Sequence, residues 1–309
     1  FRVQYDERIA VLKQYFWSEA DPRNRFETER AFYEILGEAV VLRTPRLKAA
    51  DLENRQTLLS YVSGRRLKSN EVRHDHVDQA LNFVAELNVM RARPVAQTIG
   101  EASEACFTMV DHLACVERRL QRLEHSADSP KSEPEFRVLV KEELVPIWDR
   151  IRSKMREVER GNGRLQTSER CLSPSDFGFH NALLHEDGRL RFFDFEYAGW
   201  DDPAKMVCDF FCQPAVPVPI SCFDSFVYGT AHALGLSDME QFMVRCRNLL
   251  PLYRLKWCGI TLNEFLDADR GRRAFALGPG TTQKRKVRQL EAARFSLKLT
   301  RDILHETTA

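Results

Sequence analysis

Asp176, Asn181 and Asp194 stand in the stretch LSPSDFGFHNALLHEDGRLRFFDFEYAG, residues 172–199, among Phe, Leu and Pro. Two carboxylates and a carboxamide in so apolar a setting suit phosphoryl transfer. That chemistry asks for a carboxylate that orients the attacking hydroxyl and takes its proton. It also asks for hard oxygen ligands to a divalent cation, and for a cationic side chain that grips the phosphates. Asp176 and Asn181 are five apart on a segment too irregular for a helix, so both face one site from a tight loop. Asp194 closes the strand LRFFDF, which pairs with NALLH across the turn signal EDG and so returns Asp194 to Asn181. A carboxylate between Phe193 and Phe195 is costly to bury, and a bound magnesium ion would offset that cost. The duller readings are a turn cap after Pro174 for Asp176 and a turn residue or helix cap for Asn181.

The elements that must position these residues follow from periodicity. FRVQY and IAVLKQYF, separated by DER, read as a two-stranded hairpin. DPRNRFETERAFYEILGE reads as a helix with Asp21 as N-cap, Pro22 in the first turn, and Phe26, Phe32, Ile35 and Leu36 as its apolar stripe. TPRLKAADLENRQTLLSYVSG gives a turn, a short strand, a polar turn and the strand TLLSYV. Ser63-Gly64 breaks the pattern and sets a boundary between residues 1–64 and 65–309. Beyond it HDHVDQALNFVAELNVMRA, ACFTMVDHLACVERRLQRLE and FRVLVKEELVPIWDRIRSKMREVE are amphipathic at helical spacing, and from Pro203 onward the chain is again mainly helical. The plan is a small strand-rich N-terminal part, a large helical C-terminal part and one late hairpin. A ligand is expected where the two parts meet.

Composition narrows the function. The 309 residues carry 46 Lys+Arg against 45 Asp+Glu, which argues against nucleic-acid or membrane-surface binding driven by net charge. No run of eighteen apolar residues occurs, and no basic-then-apolar leader opens the chain. Phe1 rather than Met stands first. The eight Cys include no CxxC pair. Cys208 and Cys212 share a helical face as a metal pair would, but all eight read better as small core residues in a reducing, cytoplasmic compartment. His74 and His76 read as residues of a solvated helix surface.

The motif D-F-G-F-H-N followed by F-F-D-F-E resembles the catalytic core of the aminoglycoside phosphotransferase and choline kinase family, small-molecule relatives of the protein kinases. The resemblance implies a protein-kinase-like, two-lobed α+β fold, with a small β-rich N-lobe over 1–64 and a mainly helical C-lobe over 65–309. It implies an ATP- and Mg²⁺-dependent phosphotransferase acting on a small-molecule hydroxyl, with Asp176 as catalytic base and Asn181 and Asp194 as metal ligands. Lys13 then resembles the strand lysine that grips the α- and β-phosphates, and Glu29 the helix glutamate that pairs with it. Glu27, the competing choice, lies about 200° away around the helix. The backbone of Ser60, Tyr61 and Val62 resembles the hinge that binds adenine. Asn88 stands where the family usually has His, and Asp209 in GWDDPAKMVCDFF resembles a residue that buttresses the catalytic loop.

Three departures stand beside the resemblance. Pro174-Ser175 replaces the usual His-Gly before the catalytic Asp. Gly178-Phe179-His180 fills the middle of the loop, where His180 either contacts substrate or serves as scaffold. Only twelve residues precede Lys13, enough for one strand but not for two strands and a phosphate-covering loop, so that loop is either missing from this sequence, the N-lobe then being truncated, or absent from the protein. The alternative function is a catalytically inactive kinase-like protein that binds nucleotide or a partner. For the acceptor, Arg254, Lys256, Trp257 and Asn263 are candidates, with Lys256 read as a charge reaching outward from a core helix. An acidic lining suited to aminoglycosides is not evident, which favours a sugar or other polyol over a polycationic antibiotic.

Overall fold

The computed structural model describes residues 1–5, 8–19, 21, 23–37, 43–159, 163–266 and 282–306. Strand β1 (Arg2–Tyr5) and β2 (Arg8–Gln14) form the expected hairpin, with Val3 opposite Ala10; Asp6 and Glu7 of its turn lie outside the described residues. Strands β3 (Leu47–Asp51) and β4 (Gln56–Ser60) complete a four-stranded antiparallel sheet in the order β1-β2-β4-β3. Lys13 therefore sits on an inner strand, opposite Thr57, and one strand precedes it.

Helix α1 (Arg25–Leu36) begins later than expected. Its N-cap is Asn24, whose side chain accepts from the Glu27 N–H at 3.3 Å. Asp21 does not cap; its carboxylate takes Arg23 Nε at 2.7 Å and Arg25 Nη2 at 2.6 Å. Charge-assisted bonds to two guanidinium groups outweigh one to a neutral amide. Arg23 above all, and Arg25 after it, hold the Asp21 carboxyl well below the usual carboxylate range against the opposing effect of burial. Pro22 lies outside the described residues. The stripe Phe26, Phe32, Ile35 and Leu36 is buried as its spacing predicts.

The chain divides into two compact units, Phe1–Ala105 with Gln166–Met243, and Cys106–Leu165 with Val244–Ala309. In the first unit, α2 (His74–Val89) packs on α7 (Phe223–Leu234), and α6 (Pro203–Cys212) lies against strand β5 (Cys171–Ser173). Strand β5 pairs with β8 (Gly199–Asp201), and β6 (Ala182–Leu184) pairs with β7 (Leu190–Phe192). At Gly199 φ is +155°, and a Cβ there would fall 2.6 Å from the Ala102 nitrogen, so only glycine lets β8 meet that segment. His74 is exposed, but His76 is buried: its Nδ1 accepts the Arg73 N–H at 3.2 Å and its ring stands edge-on to Phe179. A hydrogen bond and an aromatic neighbour make burial of that imidazole affordable.

In the second unit, α3 (Met109–Asp128) packs on α5 (Val145–Glu159). The expected single helix before residue 159 is α4 (Pro134–Val138), one wide π turn (Leu139–Leu144) and then α5. Pro146 gives no N–H to the turn below and crowds the carbonyl there, which the wide turn accommodates. Lys256, read from sequence as reaching outward, is buried with its ammonium 5.0 Å from the Tyr253 ring centre; a cation–π contact compensates its desolvation. All eight cysteines are buried and none forms a disulfide. No three His, Cys, Asp or Glu side chains converge as a metal site among the described residues, Cys208 and Cys212 included.

The core of the first unit is a run of phenylalanines. Phe195 lies 4.8 Å from Phe32 and 6.0 Å from Phe83; Phe83 stacks on Phe192 at 4.8 Å and lies 5.8 Å from Phe177. Phe177 stacks on Phe210 at 4.9 Å, and Phe210 on Phe226 at 4.9 Å. Phe83 touches three members of this run, Phe177, Phe192 and Phe195, and is fully buried. Replacing it with Ala removes contacts to the 176–181 loop, to β7 and to the segment after β7 together. We expect Phe83→Ala to cost about 3–5 kcal/mol in urea unfolding and Phe83→Leu about half of that.

Candidate active site

Lys13 is the centre of the site. Its Nζ lies 2.5 Å from Glu29 Oε2, 2.5 Å from Asp194 Oδ1 and 3.8 Å from Glu196 Oε2, with the Tyr15 ring centre at 4.9 Å. Burial alone would discharge the lysine, but Glu29, then Asp194, and to a lesser degree Tyr15 and Glu196 reverse that and raise its pKa above the ordinary value. Glu29 is fully buried and also accepts the Phe195 N–H on Oε1 at 2.9 Å. Glu27 points away and pairs with Arg30. The half-turn between the two glutamates thus decides which one meets the lysine. Burial, helped by Glu29, pushes the Tyr15 phenol up, and its hydroxyl shares a hydrogen bond of 2.9 Å with Thr57 Oγ1.

Glu196 is the residue the sequence reading passed over. It approaches Lys13 and also Arg25 Nε at 3.4 Å, and burial foremost, with Asp194 beside it, raises its pKa. Arg25 is itself buried and donates to Tyr197 Oη at 3.2 Å. The signal was available in part: an acid two residues after Asp194, and an Arg inside the apolar face of α1.

Asp176 and Asn181 occupy the loop between β5 and β6. Ser175 before it has φ +64°, a left-handed conformation that turns the chain sharply after β5. Asn181 Nδ2 donates to the Asp176 main-chain oxygen at 2.9 Å and lies 3.4 Å from Oδ2, while His180 Nε2 lies 3.2 Å from Oδ1. The Asn181 carbonyl accepts the Phe193 N–H at 3.0 Å, so the β6–β7 hairpin returns Asp194 beside the loop as its register requires.

One expectation about Asp194 is corrected. Strand β7 ends at Phe192, and Asp194 lies beyond it at φ +70° with its side chain 40% exposed. The left-handed turn lifts the carboxylate out of the apolar layer that holds Phe195, and Lys13 already supplies a cation to it.

Ser60 ends β4 with its N–H on the Arg46 carbonyl at 2.8 Å and its Oγ accepting the Arg46 N–H at 2.8 Å. Tyr61 is exposed, with Arg2 5.3 Å from its ring centre, and Val62 follows in open chain. Asn88 is buried and ties α2 to β5: its Nδ2 donates to Val84 and Leu172 carbonyls at 2.9 and 3.1 Å, and its Oδ1 accepts the Leu172 N–H at 2.9 Å. Asp209 is buried on α6, 3.7 Å from Lys205, which pairs more closely with Asp201. Arg254, Trp257 and Asn263 belong to the second unit, where each is half-buried. The main-chain bond from the Phe193 N–H to the Asn181 carbonyl brings the backbones of Asn181 and Asp194 together, and an amide oxygen and a carboxylate are hard donors of the kind that could hold Mg²⁺.

The two glutamates of α1 give a sharp contrast. Glu29→Ala leaves Lys13 short of a buried partner and the Phe195 N–H without its acceptor, and should cost about 2–4 kcal/mol in urea unfolding. Glu27→Ala removes only a surface pair and should change stability by less than about 1 kcal/mol.

The profile of the phosphotransferase enzyme family matches residues 1–233. No curated protein sequence matches. Among solved structures, the choline kinase of Cryptosporidium parvum Iowa II superposes with a TM-score of 0.60 at 8% identity, covering 96% of this chain and 82% of that one. The choline kinase LicA of Streptococcus pneumoniae gives 0.58 at 12% identity, covering 96% and 88%. An AMP-bound spectinomycin phosphotransferase gives 0.57 at 8% identity, covering 94% and 89%. At such identities the likeness is one of fold, and that fold is the kinase-like one: a small antiparallel sheet followed by a mainly helical region. The profile match spans most of the sequence, and the chain belongs to the phosphotransferase enzyme family.

Proposed function

We propose that the protein transfers the γ-phosphate of ATP to a hydroxyl of a small molecule, such as a sugar, an amino alcohol or an aminoglycoside-like compound. The observation that carries this reading is the convergence of Lys13, Glu29 and Asp194 within 2.5 Å contacts, beside the loop of Asp176 and Asn181. The AMP bound to the spectinomycin phosphotransferase of the same fold supports nucleotide binding by this chain.

In this reading residues 1–64 form the nucleotide lobe and residues 65–309 the catalytic and acceptor lobe. Lys13, held by Glu29, binds the phosphates. Adenine lies along Ser60–Val62; because the Ser60 N–H is engaged by Arg46, the contacts fall to the main chain of Tyr61 and Val62. Asn181 and Asp194 would hold Mg²⁺, which would supply neutralisation of charge on the phosphate oxygens. Asp176 orients the acceptor hydroxyl and accepts its proton as the new oxygen–phosphorus bond forms and the bond to the nucleoside diphosphate breaks.

Asp176→Asn keeps the size and most hydrogen bonds of the side chain and removes the base. Turnover, followed as ATP consumption across a panel of sugars, amino alcohols and aminoglycosides, should fall about a hundred- to ten-thousandfold. Affinity for MgATP by calorimetry should stay within about twofold, because Asp176 need not touch the nucleotide. Loss of ATP binding with normal turnover of what remains bound would assign Asp176 to structure or metal instead. An unmutated protein that binds MgATP and phosphorylates nothing in the panel would favour an inactive nucleotide-binding protein.

A further inference from the structure

We infer that His180 is a positioning residue that fixes the orientation of the Asp176 carboxylate, and that Gly178 is the seat that lets it do so. This rests on the reading of Asp176 as the base. The torsion that sets the plane of an Asp carboxylate is broad, so the side chain's own rotamer preference does not aim its oxygens. Here two neighbours do. His180 Nε2 lies 3.2 Å from Oδ1, and Asn181 Nδ2 lies 2.9 Å from the Asp176 carbonyl and 3.4 Å from Oδ2. Opposite an ionised carboxylate, which only accepts, a neutral His180 must carry its proton on Nε2 and donate it to Oδ1.

His180 is held through its backbone and its neighbours. Its main-chain carbonyl accepts Arg66 Nη1 at 2.9 Å. The preceding Phe179 is buried, edge-on to His76 and to Phe210. Most tellingly, a Cβ on Gly178 would fall 2.6 Å from His180 Nδ1 and 2.8 Å from Cε1. The φ of Gly178 is 171°, extended backbone open to any residue, so glycine is needed there for the space it leaves the ring and not for its backbone freedom. In this chain Pro174-Ser175 precede the Asp, and the loop's imidazole comes instead from the residue four positions after it.

Misplacing a reacting group by about 1 Å can cost about a hundredfold in rate. MgATP turnover, with water as acceptor and with any acceptor from the panel, is compared for the unmutated protein, His180→Ala, His180→Gln and Gly178→Ala. Unfolding midpoints confirm that each is folded. His180→Ala and Gly178→Ala should each lower kcat about 10- to 100-fold with the KM for ATP within about twofold. His180→Gln, which offers an amide N–H at similar reach, should recover most of the loss. A merely structural histidine would not give that rescue or that split between kcat and KM. Nitrogen-15 spectra of the unmutated protein, with the His180 ring assigned by its disappearance in His180→Gln, should show the proton on Nε2, whatever the variants do.

A normal kcat in His180→Ala, no rescue by Gln, or a ring protonated on Nδ1 alone would overturn the inference. An unmutated protein that turns over no MgATP, with the Nε2 proton in place, would instead overturn the phosphotransfer reading, and the positioning role with it.

Discussion

The ammonium of Lys13 is the single contact on which the site depends. It joins β2, α1 and the segment after β7, elements separated in the chain by 16 and 181 residues. One cation faces three carboxylates, so the cluster holds together only around the lysine and carries an excess of negative charge. Such a centre is costly to bury and gains its stability from geometry. Arg25 takes part of the excess by approaching Glu196, and the Phe195 N–H takes the second oxygen of Glu29. A divalent cation with nucleotide phosphates would meet this excess at Asp194 while giving the lysine new oxygens to hold.

Polar side chains sit in so apolar a stretch because each important Asp is followed by a Phe. Phe177 follows Asp176, Phe195 follows Asp194 and Phe210 follows Asp209. All three rings are buried in one continuous aromatic run through the first unit. The left-handed residues Ser175 and Asp194 then turn the chain so that the carboxylates of Asp176 and Asp194 leave the apolar layer while the rings stay in it, and Asp209 remains buried beside Lys205. The packing energy of large rings thus fixes the backbone on which the charged groups are mounted.

Local pattern made much of this legible. The hairpin, the apolar face of α1 and the return of Asp194 to Asn181 follow from periods of two and 3.6 and from one turn signal, whereas the choice of Glu29 over Glu27 came from the family resemblance. What stayed hidden was decided by distant partners. Asp21 looked like a cap until Arg25 competed for it, His76 looked solvated until Phe179 was placed against it, and Lys256 looked outward until Tyr253 offered its ring. Glu196 gave no pattern of its own, because its neighbours Lys13 and Arg25 lie at the far end of the sequence.

The central claim is that Asp194 belongs to a cation site that forms with nucleotide around Lys13. Water-proton relaxation with Mn²⁺ in place of Mg²⁺ tests it most directly. Mn²⁺ should show an enhanced relaxation rate in the presence of both the protein and ATP, and Asp194→Ala should abolish the enhancement while the protein remains folded. The same enhancement in Asp194→Ala as in the unmutated protein would contradict the account.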